Sequence, residues 1–112
     1  MQSAMDESAY HEMKSMMGDA YRDVIDLCLQ TFPEQLSQIH DGMNENNAES
    51  VFAAAHRLKS ACGSIGAYGL AERAQAVELH AREGSADIPA DALAALETAI
   101  TEVTTFLQQE QA

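Results

Sequence analysis

The sequence predicts an all-α fold: an antiparallel up-down four-helix bundle with a short additional helix at its N-terminus. Three observations predict it. Helix-forming Ala, Leu, Met, Glu and Gln are abundant, with only two prolines, six glycines and no clustering of β-branched residues. Apolar residues recur at alternating spacings of three and four, the period of a helix with one buried stripe. The breaks between these runs are short, so consecutive helices pack most economically antiparallel. A chain of 112 residues forms one domain and buries a core without needing disulfides or metal.

Residues 1–5 carry no pattern and are expected to be disordered, leaving one domain over residues 6–110. A short helix is predicted over about residues 6–17, acidic at its start through Asp6 and Glu7, with Tyr10, Met13 and Met17 on one face and Gly18 as its stop. Methionines at this spacing fill core gaps. A long helix follows over about 19–44, carrying Tyr21, Ile25, Leu29, Phe32, Leu36, Ile39 and Met43 on one stripe. Because the stripe survives Pro33, a kink near residues 29–33 is expected rather than two helices. Asn46 with Glu49 resembles a capping box for the next helix, over about 48–65. Its stripe is Val51, Ala55, Leu58, Cys62 and Ile65, and Gly66 supplies the stop. A fourth helix over about 68–83 buries Ala67, Leu70, Ala74, Val77 and Ala81, small residues that permit close approach. Residues 84–87 form a loop. The last helix, over about 89–109, starts with Pro89 and Asp91 and buries Leu93, Leu96, Ile100, Val103 and Leu107.

Composition narrows the function. A formal net charge of -12, from eighteen acidic and six basic residues, repels a nucleic-acid backbone or an anionic membrane, so neither is an expected partner. No run approaches the roughly 18 apolar residues of a membrane span, and no basic-then-apolar leader opens the chain, which points to the cytoplasm. Cys28 and Cys62 fall on apolar faces without CxxC spacing, as buried thiols in a reducing compartment. The length and the starting methionine lean toward a free-standing protein. Seams already used within the four helices point to a monomer.

One residue does not fit this core pattern. On a helix at about 100° per residue, His56 points about 140° away from its own buried stripe, beside Phe52, Lys59, Ser60 and Gly63. Arg57, Lys59 and Arg73 concentrate positive charge in this region, whereas Lys14, Arg22 and Arg82 lie elsewhere in the sequence. No Glu-x-x-His pair of the kind that builds metal sites in bundles occurs, and His56 has no acidic residue three or four positions away, so no metal is expected. Gly-x-Ser-x-Gly elbows, phosphate-cradling glycine loops and dinucleotide fingerprints are also missing. What remains is an exposed imidazole, a competent nucleophile near neutral pH, with Lys59 one turn on to neutralise an incoming phosphoryl group and Gly63 two turns on to admit a protein surface.

Residues 55–66, Ala-His-Arg-Leu-Lys-Ser-Ala-Cys-Gly-Ser-Ile-Gly, resemble the signature of histidine-containing phosphotransfer domains, commonly Ala-His-x-Leu-Lys-Gly-x-x-Gly-x-Leu-Gly. His56, Leu58, Lys59, Gly63 and Gly66 match, Ile65 is a conservative replacement, and Ser60 stands where the family most often has glycine. The resemblance extends over about residues 8–109. It implies a phosphorelay intermediate without kinase activity of its own, in which His56 accepts a phosphoryl group from a receiver-domain aspartate and passes it to another. Lys59 would be the counter-charge, with Arg57, Ser60 and Gly63 at the docking surface. The implied partners are response-regulator receiver domains and a hybrid sensor histidine kinase. No cofactor is implied in this chain, because Mg²⁺ would reside in the receiver. The competing expectation is a bundle of the same fold that binds a signalling partner without being phosphorylated.

Overall fold

The computed structural model describes residues 3–111. Among these described residues five α-helices follow in order: α1 (Glu7–Met17), α2 (Tyr21–Asn44), α3 (Ala48–Gly63), α4 (Tyr68–Arg82) and α5 (Ala90–Gln111), with a 3₁₀ turn at Gly18–Ala20 between the first two. Helices α2 to α5 form the antiparallel bundle: α3 packs between α2 and α4, α4 packs on α5, and α5 closes back on α2. The result is an elongated body of 42 × 25 × 20 Å. Helix α1 caps one end, where the Tyr10 ring meets Phe106 of α5 edge-on at 5.0 Å.

Local chemistry sets the boundaries. Asp6 caps α1, its carboxylate accepting from the Ala9 amide at 3.1 Å. Helix α2 runs unbroken through Pro33, as a single element. The cap of α3 is Asn47, not the expected Asn46: its side chain accepts from the Ser50 amide at 3.1 Å. Asn46 instead takes a positive φ of 53°, which asparagine tolerates, and turns the chain between α2 and α3. That shift moves Glu49 one position too early to close a capping box. Helix α3 also ends two residues sooner than its apolar stripe, because residues 64–66 form a turn in which Ile65 stays fully buried.

The stripe of α3 is the centre of the core. Val51, Ala55, Leu58, Cys62 and Ile65 are all fully buried, as are Leu70, Ala74 and Val77 of α4 and Leu96, Val103 and Leu107 of α5. On α2 the buried line is Ile25, Cys28, Phe32, Gln35, Ile39 and Gly42, one step round from the expected stripe, whose Tyr21, Leu29, Leu36 and Met43 are half-buried flanks. Gly42 permits the close α2–α3 approach, since a Cβ there would lie 2.8 Å from Val51 Cγ2. Both cysteines are buried free thiols.

Of the stretch 1–5 expected to be disordered, Met1 and Gln2 lie outside the described residues, and residues 3–5 lie against the bundle. Ala4 is buried, its carbonyl accepts from the Leu70 amide at 3.1 Å, and the Asp6 amide donates to the Gly66 carbonyl at 2.9 Å. The segment thus lies across the α3–α4 turn. It can do so because Gly69 has no side chain where the Ser3 carbonyl rests. Gly66, at φ +76°, brings the turn against α1, where a Cβ would come within 2.8 Å of Ala9 Cβ. Among the described residues no helix is long and apolar enough to cross a membrane.

Candidate functional site

The buried stripe of α3 forces His56 outward. Its side chain is 56% exposed, near the middle of the helix and on the flank that faces α4. Across from it, α4 presents Glu78, a carboxylate only 1% exposed. Glu78 Oε2 lies 2.9 Å from His56 Nδ1. The other oxygen, Oε1, accepts from Lys59 Nζ at 2.9 Å and from Arg82 Nη2 at 3.5 Å. The Phe52 ring, one turn before His56, stacks against the imidazole at 6.0 Å and 8° between planes. The Arg82 guanidinium covers the Phe52 ring at 5.6 Å.

Burial acts to raise the Glu78 carboxyl's pKa, but the hydrogen bonds from Lys59 and His56 and their charges outweigh it, so Glu78 is held below the usual carboxylate range. An ionised carboxylate only accepts hydrogen bonds. His56 Nδ1 must therefore carry a proton, so the lone pair of the neutral ring lies on Nε2, on an imidazole more than half exposed. A buried acid thus selects the tautomer of a surface base, the arrangement that orients a histidine for nucleophilic chemistry.

Glu78 was not among the residues the sequence pointed to. It flanks the buried line of α4, beside Val77 and one turn from Ala74 and Ala81, where an acid reads as an ordinary boundary residue. One signal does exist. His56 and Glu78 are equidistant in sequence from Ala67, at the turn of the α3–α4 hairpin, so antiparallel pairing sets them opposite each other. The basic cluster is also rearranged. Arg73 does not join His56 but lines shallow hollows with Ala94, Ala95 and Thr98 on the α5 side, because it points away from α3. Arg82, assigned elsewhere from sequence, takes that place, since the i, i+4 spacing sets it over Glu78.

The remaining predicted residues lie on the exposed side of α3. Arg57 reaches toward α2, where its guanidinium donates to Gln38 Oε1 at 3.5 Å. Ser60 and Gly63 are exposed, and a Cβ built on Gly63 would meet nothing within 4 Å. Nothing inside the fold requires a glycine there. Among the described residues no group of three or more His, Cys, Asp or Glu is arranged to hold a metal ion.

The site is thus a four-helix bundle's exposed α3 histidine, its tautomer set from behind by a buried acid on α4. The sequence matches the Hpt domain family over residues 23–106, three-quarters of the chain, and the protein belongs to that family of histidine phosphotransfer domains of two-component phosphorelays, which are phosphocarriers rather than kinases. The fold is similar to that of the crystal structure of histidine-containing phosphotransfer protein B (HptB) from Pseudomonas aeruginosa PAO1, with a TM-score of 0.88, 22% sequence identity, and coverage of 98% of this chain and 96% of that one. Comparison with curated proteins gives no significant match.

Proposed function

We propose that His56 is the phosphoryl carrier of this phosphotransfer domain, shuttling the group between receiver domains of response regulators in the cytoplasm. One observation carries the reading: the Nδ1 proton of an exposed imidazole is tied to a buried carboxylate 2.9 Å away, leaving Nε2 to react. In the forward step the Nε2 lone pair attacks the phosphorus of a receiver aspartyl phosphate. The N–P bond forms as the P–O bond to the aspartate breaks, and the aspartate leaves as a carboxylate. No proton need move. The imidazole gains positive charge as its lone pair is used, and the Nδ1–H bond to Glu78 stabilises that charge where it develops. Transfer to a second receiver is the reverse sequence on a new aspartate.

Lys59 supplies counter-charge for the phosphoryl oxygens, and Arg57, Ser60 and Gly63 border the surface against which the receiver docks. The open space over Gly63 supports this docking role. Mg²⁺ bound by the receiver would complete the neutralisation, consistent with phosphoryl transfer depending on alignment and charge compensation. A hybrid sensor kinase is the proposed source of the phosphoryl group, and the chain acts as a monomer.

Incubation with a phosphorylated receiver tests the proposal. The expected product is an acid-labile, base-stable phosphoprotein whose label is lost in His56→Gln. Label persisting in that variant would move the site to another residue. An unlabelled wild type, under conditions that label a control phosphotransfer protein, would favour a docking module that is not phosphorylated.

A further inference from the structure

Lys59 has two tasks that it cannot perform together. In the resting geometry its ammonium is 2.9 Å from Glu78 Oε1, yet as counter-charge it must meet phosphoryl oxygens beyond His56. Leaving Glu78 would strip a carboxylate that is 1% exposed of its closest cation. A buried charge without a partner is strongly unfavourable, so the lysine could turn outward only if something replaced it. A second cation already waits on the same oxygen. Arg82 Nη2 lies 3.5 Å from Oε1, at the outer edge of hydrogen bonding, with a side chain that is 60% exposed. It sits on the same helix four residues on, so it keeps its register with Glu78 whatever happens on α3. The Phe52 face holds its guanidinium from above, and that ring also stacks on His56.

Resting on the reading of His56 as the carrier, we propose that Arg82 is a positioning residue of the phosphotransfer site: it takes over Glu78 Oε1 when Lys59 turns to the phosphoryl group. Arg82 then acts through Glu78, keeping that carboxylate ionised and bonded to Nδ1 while the lysine is engaged. The planar, multi-donor guanidinium suits this role, since it can close a bond to Oε1 while remaining stacked on Phe52.

A double-substitution cycle tests the shared oxygen without any phosphorylation. Lys59→Met and Arg82→Gln each leave one cation on Glu78 and should shift the urea midpoint little. The double variant should lower it by more than the sum of the two shifts, and a Glu78→Gln background should remove that excess. Additive shifts would overturn the proposal. In single-turnover transfer from a phosphorylated receiver, Arg82→Gln should slow labelling of His56 by about 3- to 10-fold, the order of one ordinary hydrogen bond, as suits a long contact from a side chain more than half exposed. Arg82→Lys should recover most of the rate, and Arg82→Gln should have no effect when Glu78 is Gln. A wild type that labels while Arg82→Gln transfers at the same rate refutes the role of Arg82 alone. A wild type that never labels refutes the carrier reading, and this proposal with it.

Discussion

Replacing Glu78 by glutamine isolates the contribution of the buried carboxylate. The side chain keeps its shape and an amide oxygen that can still accept from His56 Nδ1, but it loses its charge and presents an NH₂ donor toward Lys59 or Nδ1. In the wild type both principal bonds, at 2.9 Å to His56 and 2.9 Å to Lys59, are charge-assisted. Such bonds contribute about 1.5–3 kcal/mol against about 0.5–1.5 for neutral ones, so the stabilisation of the developing imidazole charge should fall by about 1–2 kcal/mol. At 1.36 kcal/mol per decade, single-turnover transfer to His56 should slow about 5- to 30-fold. Glu78→Ala, which removes the acceptor altogether, should slow it further. Nitrogen NMR of the imidazole gives the second readout: the wild type should show the Nδ1–H form, and Glu78→Ala a mixture of tautomers. Transfer at the wild-type rate in Glu78→Ala, with the tautomer unchanged, would refute the argument that Glu78 prepares Nε2.

Two glycines of the same motif should separate cleanly. Gly63→Ala meets no neighbour and should leave stability unchanged or raise it by up to about 1 kcal/mol, while slowing transfer from the receiver. Gly66→Ala places a Cβ at φ +76° and against Ala9, and should cost about 1–3 kcal/mol in urea unfolding. Acid unfolding should report Glu78: its folded pKa lies below the unfolded value of about 4.3, so the unfolded chain binds the proton first. Stability therefore falls as pH drops through that window, and Glu78→Gln should flatten this limb. Alkaline unfolding should report the thiols, since burial pushes Cys28 up to about 11 and Cys62 up to about 12 from an ordinary value of 9.0, with Ser64 lowering Cys28 slightly and Cys28 raising Cys62 further. Above about pH 9 the unfolded chain releases protons that the folded one retains, so stability declines as pH rises. The Cys28→Ala, Cys62→Ala double variant should show a shallower slope between pH 8.5 and 10, whatever its absolute stability.

The exposure of His56 and the burial of Val51, Ala55, Leu58, Cys62 and Ile65 were legible because both follow from the period of a single helix. The same holds for the apolar line of α4. The line of α2 was placed one step off because Gln35 and Gly42 are buried without being hydrophobic, Gly42 under Val51 of α3. Ala4 escaped notice for a related reason: its burial depends on the bare backbone of Gly69, far along the chain. Asn46 and Asn47 are equivalent as caps by type, and only the backbone path between α2 and α3 chose Asn47.

The amino-acid sequence by itself determined the helices, their buried stripes and the histidine left outside them, because periodicity and capping act over a few neighbouring residues. Only the tertiary structure decided what stands behind that histidine. Glu78 is 22 residues from His56, and their meeting at 2.9 Å depends on the register in which α4 folds back along α3. That register also brings Arg82 to the site and turns Arg73 toward α5, although by charge and sequence distance Arg73 was the better candidate. Contacts between helices are set by how two packed surfaces interlock, and no local pattern specifies that.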